Sequence, residues 1–190
     1  PIQRDDMDTA VSILRKAYDA GINYFDTARA YTDSEEKIGR ALGHVRQNLV
    51  ISTKTNKTDK AGVLADLEES LRMLKTDYID FYFIHWPDYD MPFEETAAAL
   101  NLLKQQGKIR FIGVSNFSKE QMLEMGKYCR IDVIQPAYSM VSRRDEDLMK
   151  WCHTQGIDTF TYGSLGAGIL TGTFREVPTF GEKDPRNGFY

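Results

Sequence analysis

The chain has 190 residues, 42% of them apolar, with 24 basic and 28 acidic side chains and a formal net charge of -4. That apolar share supports a folded core and excludes a disordered, collagen-like or disulfide-stapled chain. Charges of both signs are mixed along the sequence without a basic run, which disfavours nucleic acid and anionic membrane as partners. No stretch approaches the roughly 18 apolar residues of a membrane helix, and the first thirty residues lack the layout of a secretory leader. Cys129 and Cys152 stand apart, outside any CxxC or CxxH pattern. No metal site or disulfide is therefore expected, and the reading is of reduced, part-buried thiols in a soluble cytoplasmic protein.

One unit recurs along the chain: a helix with a 3.6-residue apolar period, a glycine, then a short β-rich run ending in polar residues. The spacing predicts a helix over about Asp8 to Ala20, ended by Gly21, and a strand over Asn23 to Thr27. A second helix starts at Ser34 and closes at Gly43, its Glu35 and Glu36 placed where the helix dipole favours acids, and Leu49 to Thr53 follows as a strand. A third carries Val63, Leu67, Leu71 and Leu74 and leads into Ile79 to Ile84; a fourth, Phe93 to Gln106, stops at Gly107 and feeds Arg110 to Val114. Ser118 and Gln121 form a capping box for a fifth helix, with Met122, Leu123 and Met125 expected in the core, followed by a strand at Asp132 to Pro136. A sixth helix, Asp145 to Thr154, delivers Asp158 to Tyr162. His44 and His153, on helices or at their ends, are read as surface residues.

Strand starts recur every 22 to 31 residues or so, the length of a β-α unit. Runs such as Phe81-Tyr82-Phe83-Ile84 are continuously apolar, as parallel strands buried on both faces require. Such strands form either an open doubly wound sheet or a (β/α)8 TIM barrel. The first strand ends Asp26-Thr27-Ala28 without the GxGxxG of a dinucleotide-binding Rossmann domain, which favours the barrel. A complete barrel takes about 250 residues. The expectation is therefore one barrel domain over residues 1–190 with six of eight units visible, lacking the first and last strands.

A barrel gathers its chemistry at the C-terminal ends of its strands. The first visible strand ends in Asp26, with Tyr31 five residues on; the next two end in Lys54 and His85. Ser115 and Asn116 end the fourth, Gln135 the fifth, and Tyr162 to Ser164 the sixth. Singly, each has a plain structural explanation. Three adjacent strands ending in different ionisable residues at one rim point to a shared site. Trp86 and Tyr89 occupy the following loop, where substrate pockets are lined; core packing and substrate contact are equally open for the two, with Trp86 the better pocket candidate.

The order of these motifs resembles the aldo-keto reductase family. Gly21-Ile-Asn-Tyr-Phe-Asp26-Thr-Ala-Arg-Ala-Tyr31-Thr-Asp-Ser34-Glu35 is similar to the family signature holding a catalytic Asp and Tyr, and Lys54 and His85 match its other two catalytic positions. Gly107 to Ser118 resembles a second signature, Gln135-Pro-Ala-Tyr138 a nicotinamide-side motif, and Tyr162-Gly163-Ser164-Leu165-Gly166-Ala-Gly168 a pyrophosphate loop. The resemblance implies a nicotinamide dinucleotide, NADP with NAD as the alternative. Its carboxamide would lie on Ser115, Asn116 and Gln135, its ring on Tyr162, and its pyrophosphate along the segment Gly163, Ser164, Leu165, Gly166 and Gly168. The implied substrate is a small aldehyde or ketone; the oligomeric state is left open.

The four residues suit that chemistry. A carbonyl that receives hydride must be protonated at oxygen, and a phenol is a weak acid unless its anion is favoured. Lys54 is expected to lower the pKa of Tyr31, Asp26 to hold Lys54 charged, and neutral His85 to hydrogen-bond the carbonyl oxygen. Two other readings use the same residues: a Schiff-base aldolase on Lys54, which leaves Tyr31 and His85 without a role, and a cofactor-binding regulatory or sensor subunit of the same fold.

Overall fold

Helix starts in this chain fall where the sequence offers either a cap or a pair of acids. In the computed structural model, which describes residues 2–88, 90–176 and 179–182, α1 (Met7–Asp19) begins behind Asp6, whose carboxylate accepts the Thr9 N–H. α3 (Lys60–Leu74) begins behind Asp59, which accepts from Gly62, and α5 (Lys119–Met125) carries the complete Ser118/Gln121 capping box. The other three, α2 (Ser34–Leu42), α4 (Phe93–Gln105) and α6 (Glu146–Thr154), lack a side-chain cap but each has two acids in its first turn, complementing the helix dipole.

The strands are β1 (Tyr24–Asp26), β2 (Val50–Thr55), β3 (Ile79–Ile84), β4 (Ile109–Ser115), β5 (Val133–Gln135) and β6 (Asp158–Thr159). They form one sheet in chain order, every neighbouring pair parallel. The sheet is a curled half-barrel. On its concave side the Tyr24 and Phe160 ring centroids are 5.5 Å apart, and Gln135 Nε2 donates to Asp26 Oδ1 at 3.1 Å across 109 positions of sequence. The register pairs Asp26 with Ser52 and Lys54 with Phe83, so the period of two sends these side chains to the concave face. Ile51, Tyr82 and Ile84 point the other way, into a core shared with Leu67, Leu71 and Leu100 of the helices.

Several expectations shift. The ladder of β6 is only two residues long, continued by an isolated bridge between Ala137 and Tyr162. α3 ends without glycine: Lys75 takes the left-handed conformation at φ 55°. α2 ends at Gly43 as expected, but Gly43 has φ -55° rather than a left-handed conformation and leads into a 3-10 segment, Gly43–Asn48. Met122 and Met125 are buried, but Leu123 is 52% exposed, because the short α5 covers the core with only one face. His44 and His153 are exposed, while Cys129 and Cys152 are free thiols, both buried. Among the described residues no helix is long and apolar enough to cross a membrane.

Candidate active site

The C-terminal ends of β1, β2 and β3 bring Asp26, Lys54 and His85 to one rim, and the turn between β1 and α2 returns Tyr31 to the same place. Lys54 is 1% exposed, and its ammonium donates to Asp26 Oδ2 at 2.6 Å and to the Thr27 carbonyl at 2.7 Å. Asp26 Oδ1 also accepts from Ser52 Oγ and Gln135 Nε2. The Tyr31 ring centroid lies 5.3 Å from Lys54 Nζ, and the ring meets His85 edge to face at 5.7 Å. Asn116 holds the His85 carbonyl through Nδ2 at 2.9 Å.

Burial dominates the electrostatics. It pushes the Lys54 ammonium below the ordinary lysine value, against the opposing charge and hydrogen bond of Asp26. His85 is pushed down to about 4 by burial and then by the Lys54 charge, so near neutrality its imidazole is uncharged. Its Nδ1 is buried without a hydrogen-bond partner among the described residues. The Tyr31 phenol is pushed up by burial, then by Asp26 and Tyr162. The sequence reading had Lys54 lowering it. In this site burial outweighs the Lys54 charge, 5.3 Å from the ring and hydrogen-bonded to Asp26 and Thr27, and Tyr31 keeps its proton.

A cavity of about 470 Å³ opens on these groups. Asp26, Tyr31, His85 and Trp86 line it, facing Ser115, Asn116, Gln135 and Tyr162. Trp86 is 55% exposed, which removes the core-packing reading for it. Tyr89 lies outside the described residues. Ser115 Oγ donates to the Gln135 carbonyl at 2.8 Å, and Tyr162 OH donates to Asn116 Oδ1 at 2.9 Å, which ties β4, β5 and the segment after β6 together. Tyr162, Gly163 and Gly166 line an adjoining cavity of about 260 Å³. Gly166, Ala167 and Gly168 all have positive φ, and the Gly166 and Gly168 N–H groups donate to the Gly163 and Leu165 carbonyls, while Ser164 and Leu165 are exposed.

The amide and hydroxyl groups of Ser115, Asn116 and Gln135 beside the Tyr162 ring suit a flat, amide-bearing ligand. Sequence reasoning missed Ser52 and Arg144. Ser52 could have been found from strand alternation, since it lies two residues before Lys54 and on the same face. Arg144, which also lines the larger cavity, comes from the irregular segment after β5, where no periodicity points to it.

A parallel half-barrel whose one rim gathers an ion pair, a phenol and an imidazole around a cavity defines an α/β protein with an enzyme-like site. A profile of the aldo/keto reductase family matches residues 3–189, and the chain belongs to that family. Aldo-keto reductase YhdN of Bacillus subtilis is 40% identical over 197 residues, covering 96% of this chain and 60% of the relative. The NADH-specific methylglyoxal reductase of Escherichia coli is 34% identical over 202 residues, covering 91% of this chain and 62% of the relative. Among solved structures, an aldo/keto reductase from Klebsiella pneumoniae in complex with NADP and acetate matches at a TM-score of 0.79 and 36% identity, over 87% of this chain and 62% of its own. The chain thus spans about three fifths of the length of these relatives.

Proposed function

We propose that the protein reduces aldehydes or ketones with a nicotinamide dinucleotide, Tyr31 giving its proton to the carbonyl oxygen. The observation that carries this reading is the meeting of Tyr31, Asp26 and His85 on one cavity, with the Lys54 ammonium buried behind Asp26. The bound dinucleotide supplies the hydride. Ser115, Asn116 and Gln135 would hold its carboxamide, Tyr162 would pack on its ring, and the segment Gly163, Ser164, Leu165, Gly166 and Gly168 would lie along its pyrophosphate, the glycines permitting close approach. His85, uncharged near neutrality, donates an N–H to the substrate oxygen and aims it at the phenol. As Tyr31 gives up its proton, the Lys54 ammonium favours the phenolate left behind, and Asp26 keeps that ammonium charged in a buried setting. Trp86 forms part of the substrate wall. The dinucleotide is NADP, with NAD as the alternative.

Imine chemistry fits less well, because the Lys54 ammonium is buried, ion-paired and turned toward Asp26 and Thr27 rather than lining the cavity. The test is Tyr31→Phe in the full-length protein. Oxidation of NADPH by a panel of aldehydes and ketones is expected to fall by at least about 10²-fold, the usual contribution of a positioned acid. Cofactor affinity, read by fluorescence titration with NADPH and NADH, is expected to stay within about twofold of wild type, a difference well under 1 kcal/mol. Unchanged turnover would remove Tyr31 from the acid role. Tight cofactor binding by wild type with no turnover on any carbonyl would favour a regulatory subunit.

A further inference from the structure

Tyr31 sits on an irregular segment, residues 27–33, rather than on a strand, yet its distance from Lys54 decides whether the pair can work. Two features of this segment need something to hold them. Arg29 sends its guanidinium to the helix side of the sheet, away from the cavity, and Thr32, directly after Tyr31, adopts a left-handed φ of 51°, a strained conformation for a β-branched residue.

Glu35 supplies the partner for Arg29. Its carboxylate is 2% exposed, in the first turn of α2, where the helix dipole favours an anion. One oxygen accepts from Arg29 Nη1 and the other from Thr53 Oγ1 at 2.6 Å. Arg29 lies two residues before Tyr31, and Thr53 is the residue before Lys54. A single buried carboxylate therefore joins the Tyr31 segment to the Lys54 strand from behind. The backbone repeats the link, with the Arg29 N–H donating to the Lys54 carbonyl at 3.0 Å and the Ser34 N–H to the Tyr31 carbonyl at 3.0 Å. Thr27 Oγ1 donates to Ser34 Oγ at 2.9 Å, closing the base of the loop. A buried ion pair is weak evidence for stability, since apolar residues of like volume often serve as well; its worth lies in fixing geometry.

We propose that Glu35 is a positioning residue which, through Arg29 and Thr53, holds the Tyr31 phenol at working distance from Lys54; the proposal rests on the reductase reading of Tyr31. Glu35 touches neither the cavity nor the reacting atoms, so its loss acts on the chemical step and spares cofactor binding.

The experiment compares full-length wild type with Glu35→Gln and Thr53→Val, the second removing one hydroxyl at nearly constant volume in case the first fails to fold. Amide hydrogen exchange over residues 27–33 and steady-state kinetics are measured in parallel. For each folded variant the expected result is exchange in that segment at least tenfold faster and kcat ten- to a hundredfold lower, the cost of misplacing a reacting group by about 1 Å. The dissociation constant for NADPH is expected to stay within about twofold, under half a kcal/mol, and Arg29→Lys should keep more of kcat than Arg29→Met. Folded variants with a lowered Tm but wild-type kcat and wild-type exchange would overturn the proposal. Were the wild type to turn over no carbonyl, the reductase reading would fail on that result, while the exchange arm would still decide whether Glu35 holds the segment.

Discussion

His85 shows how a single environment sets a residue's role. Its pKa of about 4 in the fold lies below the ordinary 6.5 because burial and the nearby Lys54 charge both penalise the imidazolium. As pH falls from 6.5 toward 4, the unfolded chain takes up a proton at this position before the folded chain does. The native state is therefore destabilised over that window, and the effect is absent above it. Denaturant midpoints of wild type are expected to fall between pH 7 and pH 4.5 more steeply than those of His85→Gln; parallel declines would place the ordinary protonation of His85 inside the fold. The same shift predicts that kcat/KM for carbonyl reduction shows no inflection near pH 6.5. The identity of this residue was legible from its place at the end of β3. Its neutral form was expected too, but the upward shift of Tyr31 was not, because that shift depends on how much water the folded rim excludes.

At the scale of elements, the sequence carries more. Continuous apolar runs mark β3 and β4 almost to the residue, and the Ser118/Gln121 box starts α5 as expected. Legibility fails where tertiary contacts decide. The chain after Gly156 reads as a five-residue strand, but beyond Thr159 only Tyr162 finds a bridge partner. Leu123 matches an apolar stripe yet faces solvent. The cross-strand contacts of Asp26 with Ser52 and Gln135 need both the register and the curl of the sheet, neither of which local spacing contains. Gly39 in α2 belongs with these. A Cβ there would lie 2.1 Å from the Met73 carbonyl oxygen and 2.8 Å from Leu74 C, both backbone atoms of α3. Alanine would gain about 1 kcal/mol of helix propensity, but prying two packed helices apart costs roughly 1–3 kcal/mol or more and wins. Gly39→Ala is expected to lower Tm by several degrees, at roughly 2–4 °C per kcal/mol for a chain this size; a higher Tm in a thermal melt would show that the α2–α3 contact yields.

The molecule as a whole divides its labour along the strand axis. The rim at the strand C-termini holds the ion pair, phenol and imidazole. Toward the opposite end, Asp80, one residue into β3, joins three strands. Its Oδ2 accepts from Arg46 Nη2 at 2.6 Å and from the Ile51 N–H of β2 at 2.9 Å, and its Oδ1 accepts from Arg110 Nη1 of β4 at 2.9 Å. The Tyr78 ring lies beneath both guanidinium groups, 3.9 Å from Arg46 Cζ and 4.2 Å from Arg110 Cζ. Arg46 and Asp80 are 8% and 5% exposed, so removing the carboxylate's charge strands a buried guanidinium, at a cost of about 3–5 kcal/mol. In barrels of this kind the N-terminal end serves stability and the C-terminal end chemistry. Asp80→Asn is accordingly expected to lower Tm by roughly 10 °C or more. At a temperature where the variant remains folded, kcat and cofactor affinity should match wild type. A folded variant with reduced kcat would mean that strain at the strand starts reaches Lys54 through β2, and the two ends would then have to be treated as one coupled unit.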